Sequence, residues 1–191
     1  MAGPGRWILV VLLALGAGAL GVVLSGAMTG VAGVWLALAA ALLLVRTTGA
    51  QVSGVVARGS QNGIGLIGSR DALIVDNEVS GNSGWGIHLY QSARNTILRN
   101  RAEHNVRCEG RTYRRGCDSA ALLLRHESDS NLVADNNLRT SGDGFFLSGQ
   151  RGRVAPSIGN LVIRNDATGA FHNAFESTFS SWNVFLENRA D

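Results

Sequence analysis

The chain has 191 residues, a formal net charge of +3, and 17 basic residues, all of them arginine, against 14 acidic ones. That charge is too small and too mixed for a nucleic-acid binder, and the length suffices for one domain with a sizeable core. The lack of lysine fits either a GC-rich genome or a use of planar, bidentate contacts to carboxylates.

Residues 1–50 read as a hydrophobic helical segment for export or membrane anchoring, of one or two helices. Trp7 to Met28 is apolar and uncharged, long enough to span a bilayer. A second run, Val31 to Val45, has 15 residues, is marginal for a span, and ends at Arg46. Three readings stay open: a signal peptide or anchor behind Arg6, a two-helix hairpin with Arg6 and Arg46 on the cytoplasmic side, or a mis-assigned start. A buried soluble core is the plain alternative.

Residues 51–191 repeat. "GIGLIGSRDALIVDNEVSGN" (63–82) aligns on "GIHLYQSARNTILRNRAEHN" (86–105) at an offset of 23. A third copy follows at an offset of 36, which implies an insertion of 13, and two more copies complete the chain. Two asparagine columns run through them: Asn95, Asn131, Asn160, Asn183 (with Ala72 in the first copy), and Asn77, Asn100, Asn136, Asn165, Asn188. The apolar columns are Ile64, Ile87, Leu123, Phe145, Phe175 and Ile74, Ile97, Val133, Val162, Phe185. Within each copy the apolar period is 2, so the copies are short strands between Gly/Asn/Ser turns. One such unit cannot bury its own face, and stacking supplies the core. The expected fold is all-β: a parallel β-helix of about five coils of about 23 residues. Asparagine suits the turns because it tolerates left-handed backbone and can bond to its copy in the next coil.

The columns beside the second asparagine column read Asp76, Arg99, Asp135, Arg164, Glu187 and Glu78, Arg101, Asn137, Asp166, Arg189. Signs nearly alternate, as favours residues stacked about 4.8 Å apart. Strict register would bury Arg125 in the column of Leu66, Leu89 and Leu147. An unpaired buried arginine is costly, so a one-residue bulge is expected to turn Leu122 and Leu124 inward instead.

The pattern "N.I..N......GI.L..S..N.I..N" resembles the repeats of secreted right-handed β-helix proteins, which include polysaccharide lyases, uronate epimerases and NosD-like periplasmic proteins. The resemblance covers about residues 54–191 and implies a right-handed solenoid in the cell envelope or outside the cell. The repeated residues build the coil and do not define a reaction. The Asp-Pro-His-Asp motif of the alginate epimerases is absent, as is a compact acidic cluster like that of the pectate lyases. Calcium is therefore implied by resemblance only, and no residue is assigned to a metal. "GIGLIG" (63–68) matches the dinucleotide fingerprint but lacks the helix that should follow it, and Gly63 and Gly86 share the repeat grid.

The insertion, 106–118, holds both cysteines. Cys108 and Cys117 at the ends of a small loop suit a disulfide, which persists in an oxidising compartment and agrees with export; reduced surface thiols are the alternative. Arg107, Arg111, Arg114 and Arg115 surround Tyr113 there, and a second interruption, "QRGRVAPS", adds Arg151 and Arg153. The two loops should flank one face at opposite ends, with His88, Tyr90, His126 and Glu176 pointing outward between them. Arginine forks suit carboxylates, and aromatic rings stack on sugars. The expected function is binding of an acidic polysaccharide in that groove. Cleavage or epimerisation would use His126 or His88 as base, Tyr90 as acid and Arg114 or Arg115 at the developing enolate. The rival reading is a non-catalytic, envelope-anchored scaffold or NosD-like accessory protein. The last coil has no capping segment, so end-to-end self-association or further coils are expected.

Overall fold

The structure, a computed structural model, describes residues 22–25, 40–108, 117–149 and 152–191. Two parallel sheets form the walls of a β-helix. A seven-stranded sheet stacks β1 (Val22–Ser25), β2 (Ala40–Val45), β4 (Asn62–Ile67), β6 (Trp85–Tyr90), β8 (Ala120–Arg125), β10 (Asp143–Ser148) and β12 (Phe175–Thr178) in that order. A six-stranded sheet stacks β3 (Gln51–Ser53), β5 (Leu73–Val75), β7 (Thr96–Leu98), β9 (Leu132–Ala134), β11 (Leu161–Ile163) and β13 (Val184–Leu186). A third side is a line of single bridges from Val56 through Glu78, Arg101, Asn137 and Asp166 to Arg189.

The core runs along the axis. Ile64, Ile87, Leu122 and Phe145 lie in register on one wall, as do Leu66, Leu89, Leu124 and Leu147, and all are fully buried. Ile74, Ile97, Val133 and Val162 face them from the other wall. Here the register of β8 departs from the strict repeat. Leu122, not Leu123, stands opposite Ile87, and Arg125 stands on the outside opposite Tyr90. The extra residue is taken up just after the strand, where His126 and Glu127 both have positive φ, and the repeat resumes with Ser92 bonded to Ser128. The bulge spares the guanidinium from burial, as expected.

The asparagine columns are ladders. The Asn100 carboxamide oxygen accepts from the Asn77 backbone N–H and Nδ2, while its own Nδ2 donates to the Ile74 carbonyl and the Asn136 oxygen. Asn95, Asn131 and Asn160 repeat the scheme at the other corner. A serine column, Ser69, Ser92, Ser128 and Ser157, forms a third ladder, each backbone N–H donating to the next hydroxyl. The asparagines themselves do not take left-handed backbone. The residue before each does: Asp76, Arg99, Asp135 and Arg164 have φ between 51° and 55°. Each corner thus strains one residue, and the ladder bond that follows offsets the strain. The same residues make bidentate pairs between coils, Arg99 on Asp76 at 2.9 and 2.8 Å and Arg164 on Asp135 at 2.7 and 2.8 Å. The guanidiniums hold both carboxyls below the usual carboxylate range. These pairs are exposed, so they contribute little to stability.

The solenoid begins earlier than residue 51. Ala40–Val45, the end of the second hydrophobic run, is a strand in register with β4. The reason is burial on both faces: Leu44 enters the core, while Ala40, Leu43 and Val45 pack outside with Ile67. A strand buried on both sides has no alternation and reads like a helix. β1 lies parallel to β2. Residues 1–21 and 26–39, which carry the rest of the expected anchor, lie outside the described residues. Among the described residues no helix is long and apolar enough to cross a membrane.

Candidate functional site

With Ile87 and Leu89 turned inward, His88 and Tyr90 point outward on the outer face of the seven-stranded sheet. Its first row is Asn62, Trp85, Ala120 and Asp143; its second is Leu43, Gly65, His88, Leu123, Phe146 and Glu176; its third is Val45, Ile67, Tyr90, Arg125, Ser148 and Thr178. The second and third rows follow from that register. The first has the parity of Ile87 but also lies outside, because the glycine after Asn62, Trp85 and Asp143 faces the core as well; the Trp85–His88 contact and the packing of Ala40 on Leu43 show it there. The face is apolar at β2 and β4, then aromatic, basic and acidic in turn.

On β6 the Trp85 ring lies 4.9 Å from His88. Arg107, at the root of the first insertion, lays its guanidinium over Trp85 at 5.2 Å and donates from Nε to the Ser83 carbonyl at 3.1 Å. Burial, aided by the positive charge of Arg125, pulls His88 down to about 4, so it is neutral at pH 7. At the other end of the strands His126 packs on Tyr90 at 5.1 Å, and its Nδ1 accepts the Ala155 N–H at 3.0 Å. In its neutral form His126 therefore carries its proton on Nε2 and offers a donor, not a base.

The acidic end is β10 and β12. Asp143 is buried and accepts the Asn173 N–H at 3.0 Å; Asn173 Nδ2 donates to Glu176 at 2.8 Å; His172 Nδ1 lies 4.0 Å from Asp143. Burial, with a smaller push from the Glu176 charge, raises Asp143 to about 6. At pH 7 His88 is neutral, while Asp143, at about 6, is mostly ionised and takes up its proton just below neutrality, so the face carries two groups shifted in opposite directions. Among the described residues no group of three or more His, Cys, Asp or Glu side chains could hold a metal ion. Among the described residues the donor set therefore does not fit calcium.

The expected residues separate into three sets. His88, Tyr90, His126 and Glu176 share the outer face, and Arg107 reaches it. Cys108 and Cys117 are joined in a disulfide. Arg153 is exposed on the second loop, whose Ala155 reaches His126. Arg111, Tyr113, Arg114, Arg115 and Arg151 lie outside the described residues. Sequence reasoning does not single out Trp85, Arg125, Asp143 or His172 for the site. Trp85 and Asp143 can be found by extending the repeat columns one position before each glycine, where Asn62, Trp85 and Asp143 align. Arg125 follows once the bulge is drawn.

The fold has solved counterparts. The periplasmic alginate epimerase AlgG superposes with a TM-score of 0.58 at 13% identity, covering 80% of this chain and 40% of that one. The A-module of the mannuronan C-5 epimerase AlgE4 of Azotobacter vinelandii superposes with a TM-score of 0.57 at 14% identity, covering 76% of this chain and 42% of that one. The chain thus spans about four-tenths of the length of each, and at these identities the likeness is one of fold. A search of curated proteins finds no match to the sequence. The two parallel walls, the ladders and the profile of the right handed beta helix region, which matches residues 40–191, agree: the chain belongs to the right-handed β-helix family.

Proposed function

We propose that the chain binds an acidic polysaccharide along the outer face of its seven-stranded sheet. The observation that carries this reading is the composition of that face from β6 onward. Trp85, Tyr90 and Phe146 supply rings for sugar stacking, Arg107 and Arg125 supply cations for carboxylates, and the face is flanked by Arg107 over Trp85 at one end and Ala155 bonded to His126 at the other. The two epimerases of similar fold are named for alginate and mannuronan, which supports a glycan ligand. Turnover, if it accompanies binding, would be epimerisation or elimination at a uronate: His88 takes the C5 proton, Arg107 or Arg125 stands beside the developing enolate, and Tyr90 gives a proton back to C5 from the other face or to the leaving glycosidic oxygen.

The full chain is expected to bind alginate or polygalacturonate and to ignore a neutral glucan in isothermal calorimetry. Changing Arg111, Arg114 and Arg115 together to glutamine should weaken that binding about tenfold, the loss of roughly one charge-assisted contact. Unchanged affinity would remove the first loop from the site. Failure to bind any glycan would favour the scaffold reading.

The Cys108–Cys117 disulfide supports a location in the cell envelope or outside the cell. Labelling intact cells with a membrane-impermeant thiol reagent, before and after reduction, should show an oxidised pair reachable from outside. Reduced, unreachable thiols would place the domain in the cytosol.

A further inference from the structure

Three polar atoms around Trp85 are buried without a hydrogen-bond partner: Asn62 Oδ1, His88 Nε2 and Arg107 Nη2. Asn62 stands opposite Trp85 in the sheet, the His88 ring is 4.9 Å from the indole, and Arg107 lies on it. Buried donors and acceptors are nearly always paired, and an orphan is costly. The sheet does not require polar groups here. Ala40 and Ala120 fill the same row as Asn62 and Trp85, and Gly65 and Leu123 flank His88. Three orphans around one ring are therefore a property of the place, and the place lies on the proposed binding face.

We propose that Trp85, Arg107, His88 and Asn62 form a subsite for one carboxylate-bearing sugar residue, covered in this structure by the Arg107 guanidinium. The chemistry of the orphans defines the occupant. Arg107 Nη2 is a charged donor and needs an anionic acceptor. Asn62 Oδ1 needs a hydroxyl donor. His88 Nε2 meets a hydroxyl in either tautomer. The ring beneath Arg107 is a stacking platform once uncovered. A uronate offers all of these in one unit, and a neutral sugar lacks the anion. A bidentate bond from guanidinium to carboxylate is stronger than an exposed cation–π contact, so a sugar carboxylate can draw Arg107 off the ring. A Cβ at Gly84 would lie 2.6 Å from the Gln61 carbonyl oxygen and 3.0 Å from Arg107 Nη2, so glycine there serves the coil first and also leaves room for the guanidinium. The carboxyls of the outer face, Asp143 and Glu176, sit two and three strands away, at about 10 and 14 Å.

The inference rests on the acidic-polysaccharide reading, and the test separates the two. Galacturonate and mannuronate trisaccharides are titrated into the full chain, following calorimetry and tryptophan emission together. Emission is expected to change in the wild type with at least one acid trisaccharide, to stay constant in Trp85→Phe, and to stay constant with the carboxyl-reduced sugar. Arg107→Gln should lose about tenfold in affinity for the acid sugar and, without ligand, show greater acrylamide quenching than the wild type. The quenching difference should vanish when Trp85→Phe is added. Arg107→Lys, which keeps the charge but loses the fork, should recover only part of the affinity. Calorimetric binding with unchanged Trp85 emission would overturn the subsite and leave the parent reading standing. Absence of binding to either acid sugar would overturn both.

Discussion

Replacing Asn100 with alanine is expected to destabilise the solenoid by about 4 kcal/mol, because several buried groups lose partners that water cannot replace. Asn100 is 1% exposed and its side chain makes four hydrogen bonds, at 2.9 to 3.1 Å, to the coil before it (Asn77, Ile74) and the coil after it (Asn136). Without it, the Asn77 backbone N–H is left buried and unbonded at this corner, the Ile74 carbonyl and the Asn136 oxygen each lose a donor, and a small void opens beside them. Asn100→Asp should be no better. It keeps the acceptor but turns an oxygen toward the Ile74 carbonyl, so two acceptors face each other. Urea unfolding at neutral pH checks both variants. If Asn100→Asp matched the wild type, volume rather than hydrogen bonding would be what the ladder contributes.

The second large effect is in pH. His88 sits at about 4 in the fold against an ordinary 6.5, so the unfolded chain binds the extra proton between those values. Lowering the pH through this window costs the fold up to about 3 kcal/mol. Asp143 works the other way. It sits at about 6 against an ordinary 3.8, so the fold keeps a proton that the unfolded chain has released. Raising the pH from about 4 to about 6 therefore costs the fold about 3 kcal/mol. The two nearly cancel, and wild-type stability should be almost flat between these values. Asp143→Asn leaves His88 alone and should lose stability as the pH falls from 6.5 to 4.5. His88→Gln leaves Asp143 alone and should gain stability over the same change. Asp71, Asp76 and Asp135, held below the usual range by arginines, titrate below this window and do not blur it. Urea midpoints at pH 4.5 and 6.5 read the slopes; parallel slopes in the two variants would refute the assignment.

Coil period, strand positions and the ladder columns follow from residue spacing, since a stacked repeat puts chemically equal positions above one another. Arg125 shows how far such reasoning reaches: the cost of burying a guanidinium is enough to place a bulge and turn Leu122 and Leu124 inward. The same bulge also shifts the apolar column, where Leu122 stands in place of the Leu123 that strict spacing puts there. Ala40–Val45 escapes for a different reason. A strand buried on both faces carries no period, and six apolar residues beside a longer apolar run cannot be told from helix by pattern.

The candidate site is legible in outline only. Alternation alone places His88, Tyr90 and Glu176 on the outer face. The raised pKa of Asp143 is invisible in the sequence, because it comes from burial beside Asn173 and from the Glu176 charge, residues about thirty positions away that no local pattern connects to it. Trp85 and Arg107 belong to successive coils and meet because Val106 and Arg107 stack above Asn82 and Ser83, just before Trp85. Local spacing and side-chain chemistry determined the coil, since each coil's bonds repeat at a nearly constant offset. Tertiary packing decided which polar groups are buried, which are paired and which are left waiting, since burial and electrostatic neighbours are properties of the assembled face.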